Sequence, residues 1–124
     1  MTNALSAEGL ALIQELEGFQ AEPKPLPTGG WVIGYSHVRM IEPGEAVNEN
    51  EARDALALDL ASFEQLVNAL VSQPLSQSQF DALVSFAFSV GAEQFQKSQV
   101  LRRVNAGDFV SAACAMDAWR KGDV

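Results

Sequence analysis

The sequence predicts an α+β, mainly helical fold with a small β-hairpin lobe and a helical lobe, and three observations carry that prediction. Leu56, Leu60, Phe63, Val67 and Leu70 recur at alternating steps of four and three, the spacing of one apolar face on a long helix. The run Phe80 to Val90 is apolar on nearly every side, which marks a helix enclosed by others. Between Gly29-Gly30 and Tyr35, Trp31, Val32 and Ile33 supply aromatic and β-branched residues at strand density, so this segment reads as a hairpin. At 124 residues and 13.3 kDa the chain is one domain over 1–124, long enough for a core but not for two independent ones.

Ser6 is placed to cap a first helix over about 7–17, with Leu10, Ile13 and Leu16 as its buried stripe and Gly18 as its stop. Pro23, Pro25 and Pro27 each lack a backbone donor and fix φ, so the stretch after Gly18 is not helical. Glu42-Pro43-Gly44-Glu45 is a turn signal, and Asn48-x-x-Glu51 is a capping box. The helix it opens should run to about Val71, with Asp54, Asp59 and Glu64 in water. Pro74 breaks the chain, and Ser76-x-x-Gln79 caps a helix whose core is Phe80, Leu83, Val84, Ala87 and Phe88, ended by Gly91. Short helices are expected over 92–96 and 98–106. Asp108 then begins a last helix through Trp119.

The N-terminus has no cationic region, and Glu8, Glu15 and Glu17 interrupt any apolar stretch, so a secretory signal is not expected. No apolar run is long enough to span a membrane. The single cysteine, Cys114, lies among alanines and is expected to be a small buried thiol, which fits a reducing, cytoplasmic compartment. A lone histidine, His37, cannot build a metal site, and nothing calls for a cofactor.

The stretch from Glu17 to His37 carries the chemistry. Its E-G-F and I-G-Y-x-H ends, at a spacing that aligns without a gap, resemble the opening of the phage-type lysozymes, the muramidases of glycoside hydrolase family 24. D-A-L-V-S-F-A-F-x-x-G, F-x-x-S-x-x-L and N-x-G then resemble that family's second lobe in the same order, so the likeness covers almost the whole chain. It implies a lysozyme-like two-lobe fold and three working positions: a glutamic acid that protonates the glycosidic oxygen, and an aspartate and a threonine that hold the attacking water. Glu17 falls on the first. Leu26 falls on the aspartate position and Val32 on the threonine position, and neither side chain accepts a proton or orients water. An inverting glycosidase needs an acid on one face of the sugar and a base with room for water on the other. Loss of a positioned base costs roughly 10²–10⁴-fold, or about 3–5 kcal/mol of barrier.

Within the family, A-A-C-A-M-D-A-W-R-K and the L-P-x-G-x-W that replaces the aspartate motif resemble the muramidase domains of the SpmX family of polar scaffolds in stalked alphaproteobacteria. That resemblance implies a degenerate domain with a vestigial Glu17, repurposed for localisation and for recruiting a polar sensor kinase or polar organiser. It also implies cytoplasmic placement, with tethering to the inner membrane at a cell pole through regions not in this chain. Such proteins continue past W-R-x-G into an Arg-containing helix, so that C-terminal helix is expected to be missing here. An apolar face would then stay open, and a homo-oligomer is expected.

The charge agrees with an altered role. Sixteen acidic against eight basic residues give −8 and a pI near 4.4. Such a chain is steered away from anionic cell wall and from nucleic acid. Pro23, Pro25, Leu26, Pro27, Trp31 and Val32 put apolar side chains where a lysozyme presents sugar-binding groups, and form the candidate interaction surface. His37 reads as a hydrogen-bonding residue beneath the hairpin, with a general base as its other reading. Ser36 lacks an adjacent base, Trp31 and Trp119 read as packing anchors, and Glu22 is set aside as a replacement carboxylate because it precedes the proline run. The rival from another class is an active N-acetylmuramidase cleaving peptidoglycan with Glu17 as general acid.

Overall fold

In the computed structural model, residues 3–120 and 122 are described. The termini and Lys121, which closes the A-A-C-A-M-D-A-W-R-K motif, lie outside them, as does the question of a further C-terminal helix. In chain order the elements are α1 (Ala7–Glu17), β1 (Gln20–Pro25), β2 (Trp31–Gly34), β3 (His37–Arg39), α2 (Glu49–Leu70), α3 (Gln77–Val90), α4 (Ala92–Lys97), α5 (Gln99–Asn105) and α6 (Phe109–Arg120). The chain divides into two compact units, one over Ala7–Ser62 and the other over residues up to Ser6 and from Phe63 onward.

The first unit holds the sheet. Its three antiparallel strands lie in the order β1-β2-β3, one strand more than a hairpin. Pro23 and Pro25 do not keep β1 out of the sheet, because an edge strand has one side whose donors need no partner. β1 pairs with β2 through Lys24↔Val32 and Pro25↔Trp31, with an irregularity between Gln20 and Lys24. β2 pairs with β3 through Trp31↔Arg39, Val32↔Val38 and Ile33↔His37. Ile33 of β2 and Tyr35 of the turn after it are buried, as are Ala52, Leu56 and Leu60 of α2. On α1 only the middle of the expected stripe is interior: Ile13 is buried, Leu10 is half-buried, and Leu16 is 63% exposed. Three-residue spacing alone drifts around a helix of 3.6 residues per turn, which carries the last member off the buried line.

The second unit is helical. The Ser76 hydroxyl accepts from the Gln79 amide and the Gln79 side chain accepts from the Ser76 amide, so the capping box that opens α3 is complete. Phe80, Leu83, Val84 and Ala87 are buried as expected, whereas Phe86 is buried and Phe88 half-buried, its ring edge-on to Phe63 at 5.5 Å. Asp81, nearly buried on α3, accepts from the Ser6 amide at 3.1 Å, the Ser6 hydroxyl at 2.5 Å and the Gln77 side chain at 2.8 Å. Glu64, expected in water, accepts from the Leu5 amide at 2.9 Å. Ser98 caps α5 through the Leu101 amide, and Asp108 caps α6 through the Ser111 amide. Cys114 is not the buried thiol expected. It is exposed on α6, beside a groove of about 310 Å³ that Val100, Arg103 and Trp119 also border. A run of alanines gives a helix no strongly apolar stripe, so it does not say which side of α6 is covered.

Candidate active site

All three positions singled out by the resemblance lie in the first unit. Glu17 is the last residue of α1 and is half-buried. Gly18 follows with φ +75 and donates to the Gln14 carbonyl at 3.0 Å, so the helix stops there. Leu26 stands at the turn between β1 and β2, its amide donating to the Gly30 carbonyl at 2.9 Å and its carbonyl accepting from the Gly29 amide at 3.1 Å. Gly30 cannot be replaced cheaply there: φ is +84, and an added Cβ would sit 3.0 Å from the Arg39 carbonyl oxygen. Val32 is in the middle of β2, between Lys24 and Val38.

The backbone is therefore held by hydrogen bonds, while the side chains at Leu26 and Val32 have no lone pair to offer. Pairing register also divides the candidate interaction surface. Successive residues of a strand point to opposite faces, so Trp31, opposite Pro25, lies on one face, and Val32, opposite Val38, on the other. Pro25 and Pro27 are exposed, and Pro23, Leu26, Trp31 and Val32 are half-buried.

His37 takes the hydrogen-bonding role. Its Nδ1 donates to Asp59 Oδ2 at 2.7 Å, which ties β3 to α2. Asp59 was expected in water, and its contact was not legible because it depends on how strand and helix meet. The one sequence signal is its position beside Leu60, on the flank of the buried stripe of α2. Phe19 and Tyr35 pack at 5.6 Å between ring centroids and flank the start of β1 and the end of β2. Among the described residues no group of His, Cys, Asp and Glu is arranged to hold a metal ion.

The profile of the phage lysozyme family matches residues 14–124. The chain belongs to the phage lysozyme family. Among its relatives, the endolysin of Acyrthosiphon pisum secondary endosymbiont phage 1 is 32% identical over 120 residues, covering 97% of this chain and 82% of that protein. The endolysin of Bacillus phage B103 is 37% identical over 120 residues, but there the chain spans only 46% of the relative's length. Among solved structures, the muramidase domain of SpmX from Asticaccaulis excentricus superposes with a TM-score of 0.91 at 45% identity, covering 94% of this chain and 80% of the other. The fold is thus that of a lysozyme-like muramidase domain, mainly helical with a small antiparallel sheet. No described helix is long and apolar enough to cross a membrane.

Proposed function

We propose that this lysozyme-like domain is a degenerate muramidase that works as a protein-interaction and localisation module of a polar scaffold. The observation that carries the reading is the pair Leu26 and Val32 at the two positions where the family resemblance places the water-holding aspartate and threonine. With Glu17 alone the site has a proton donor and no group to activate water, which is half of an inverting mechanism. The 45% identity to the SpmX muramidase domain supports the scaffold role, and the net charge of −8 agrees with a domain not drawn to anionic wall polymer.

On this reading the partner is a polar sensor kinase or organiser, and the domain lies in the cytoplasm, held at the inner membrane of a pole by regions outside this chain. Self-association belongs to the same proposal, supported by the groove at Val100 and Trp119 and by the exposed Val110 on α6. Sedimentation showing a clean monomer at high concentration removes that part. The test of the main reading is partner capture with the intact chain. Leu26→Glu should weaken capture while circular dichroism stays unchanged, and Glu17→Gln should capture as the wild type does. Equal capture by Leu26→Glu contradicts the proposed surface.

A second reading, favoured by the endolysin relatives at 32% and 37% identity, is an active N-acetylmuramidase that cleaves peptidoglycan with Glu17 as general acid and a water site not built from Leu26 or Val32.

A further inference from the structure

We propose that the groove formed by β2, the loop that follows β3 and the first turns of α2 binds a short segment of a protein partner in which one arginine or lysine is flanked by aliphatic residues. Ile33 lines this groove, and successive residues of a strand point to opposite faces, so Val32 faces away from it. The inference therefore goes beyond the surface proposed above and holds whether or not Glu17 acts on peptidoglycan.

The groove has a volume of about 520 Å³, within the roughly 300–1,000 Å³ of small-ligand sites. Its floor is apolar: Ile33 and Ala52 are buried, and Val47 and Ala55 are half-buried. At its lip Ile41 is 82% exposed, a large aliphatic side chain with little cover of its own. Apolar surface left open in this way gains by taking aliphatic side chains out of water.

The charges on the rim select what accompanies those side chains. Glu42, Glu45 and Glu51 border the groove against one guanidinium, that of Arg39. Glu51 accepts from the Asn48 amide at 3.1 Å, and His37, also on the border, is held by Asp59 through Nδ1. Glu42 and Glu45 are exposed and, among the described residues, take part in no ion pair. Over an ordinary surface these acids would be a solvated rim; here they surround an apolar floor. The unit that contains the groove, residues 7–62, carries ten acidic against three basic side chains. A cation is therefore drawn in and an anion kept out. Arginine adds a planar fork that a carboxylate pairs with at two points. The same balance disfavours a second copy that approaches with its own residues 7–62.

The experiment titrates the full 124-residue chain with three tripeptides, each acetylated and amidated: leucine-arginine-leucine, leucine-glutamate-leucine and glycine-arginine-glycine. Binding is read from amide chemical shifts. The leucine-arginine-leucine peptide should saturate below about 10 mM, with shifts centred on residues 33–34, 41–47 and 51–55. The other two should bind at least about fivefold more weakly, one for want of the cation and one for want of apolar contact. Glu42→Gln combined with Glu45→Gln should weaken the first peptide by about two- to fivefold while circular dichroism stays unchanged. Equal binding by the glutamate peptide, or unchanged affinity in that double variant, would show that charge selects nothing and overturn the proposal. Equal binding by the glycine peptide would show charge attraction without the groove and overturn it as well. The same holds for no saturable binding, or for shifts centred elsewhere. Sedimentation of the unliganded chain supplies the last outcome: association that the two glutamine substitutions abolish would assign the groove to a second copy instead.

Discussion

Replacing Gly34 by alanine should be among the most damaging single-methyl changes available to the first unit. Gly34 is buried at the end of β2 with φ +66, a region that L side chains rarely adopt. Placing a non-glycine residue there costs roughly 1–2 kcal/mol. The added Cβ would also stand 3.0 Å from the Ala52 Cβ and 3.4 Å from its Cα. Ala52 is buried on α2, and its Cβ has no rotamer by which to move aside, so relief requires a shift of strand or helix. Overpacking of this kind costs roughly 1–3 kcal/mol. The sum, about 2–5 kcal/mol, is a large part of the roughly 5–15 kcal/mol that holds a domain folded. With an unfolding entropy of about 2.1 cal/mol/K per residue, it lowers the melting temperature by about 8–20 °C. Thermal denaturation followed by circular dichroism reads this directly. Adding Ala52→Gly removes the atom that the new methyl meets, at a helix cost of roughly 1 kcal/mol. The double variant should therefore be more stable than the sum of the two single losses by the contact share, about 1–3 kcal/mol. A melting point for Gly34→Ala within about 3 °C of wild type, or strictly additive losses, would refute the close approach of β2 and α2.

Two further outcomes follow from side chains the fold brings together or leaves open. Hydrogen bonds to charged groups contribute roughly 1.5–3 kcal/mol, but the side chains of His37 and Asp59 are 28% and 30% exposed, so solvent reduces the share to about 1–2 kcal/mol. Asp59→Asn should lose that much, and a double-mutant cycle with His37→Gln should show coupling of at least about 0.5 kcal/mol; denaturant midpoints that simply add would mean the pair contributes nothing. Cys114, exposed on α6, should react with a thiol reagent in the folded chain at a rate close to that of the unfolded chain, and strong protection would contradict its placement.

The helices were legible because their ends are written in short-range chemistry. Asn48 and Glu51 exchange backbone bonds at 2.8 and 3.1 Å, and Ser76 and Gln79 do the same at 3.1 and 2.9 Å. Such boxes need only local spacing. The sheet was less legible for two opposite reasons. The prolines of β1 excluded a helix without announcing a strand, although an edge strand accommodates them, and β3 is too short, at three residues, for alternation to show. Leu16, Asp59 and Cys114 were misplaced because their burial depends on which neighbour covers them, and periodicity ranks faces without naming neighbours.

The candidate site was legible only through the family resemblance. Nothing in an isolated glutamate, leucine or valine points to a glycosidase. The resemblance of the run from Glu17 to the I-G-Y-x-H motif to the phage-type lysozymes implies one. The hydrogen-bonded turn that fixes Leu26 and the ladder that fixes Val32 then show ordered backbone at both of these positions.

The most direct test of the central claim is release of soluble fragments from purified peptidoglycan by the wild-type chain beside Glu17→Gln. Leu26→Asp with Val32→Thr serves as a third arm that restores the two side chains. On the proposed degenerate reading, wild type and Glu17→Gln should both release nothing above background. The double variant should recover at most a trace, because catalytic groups must be held within about 0.5 Å by their surroundings. Robust release by wild type that vanishes in Glu17→Gln would contradict the degenerate reading and establish Glu17 as the acid of a working muramidase.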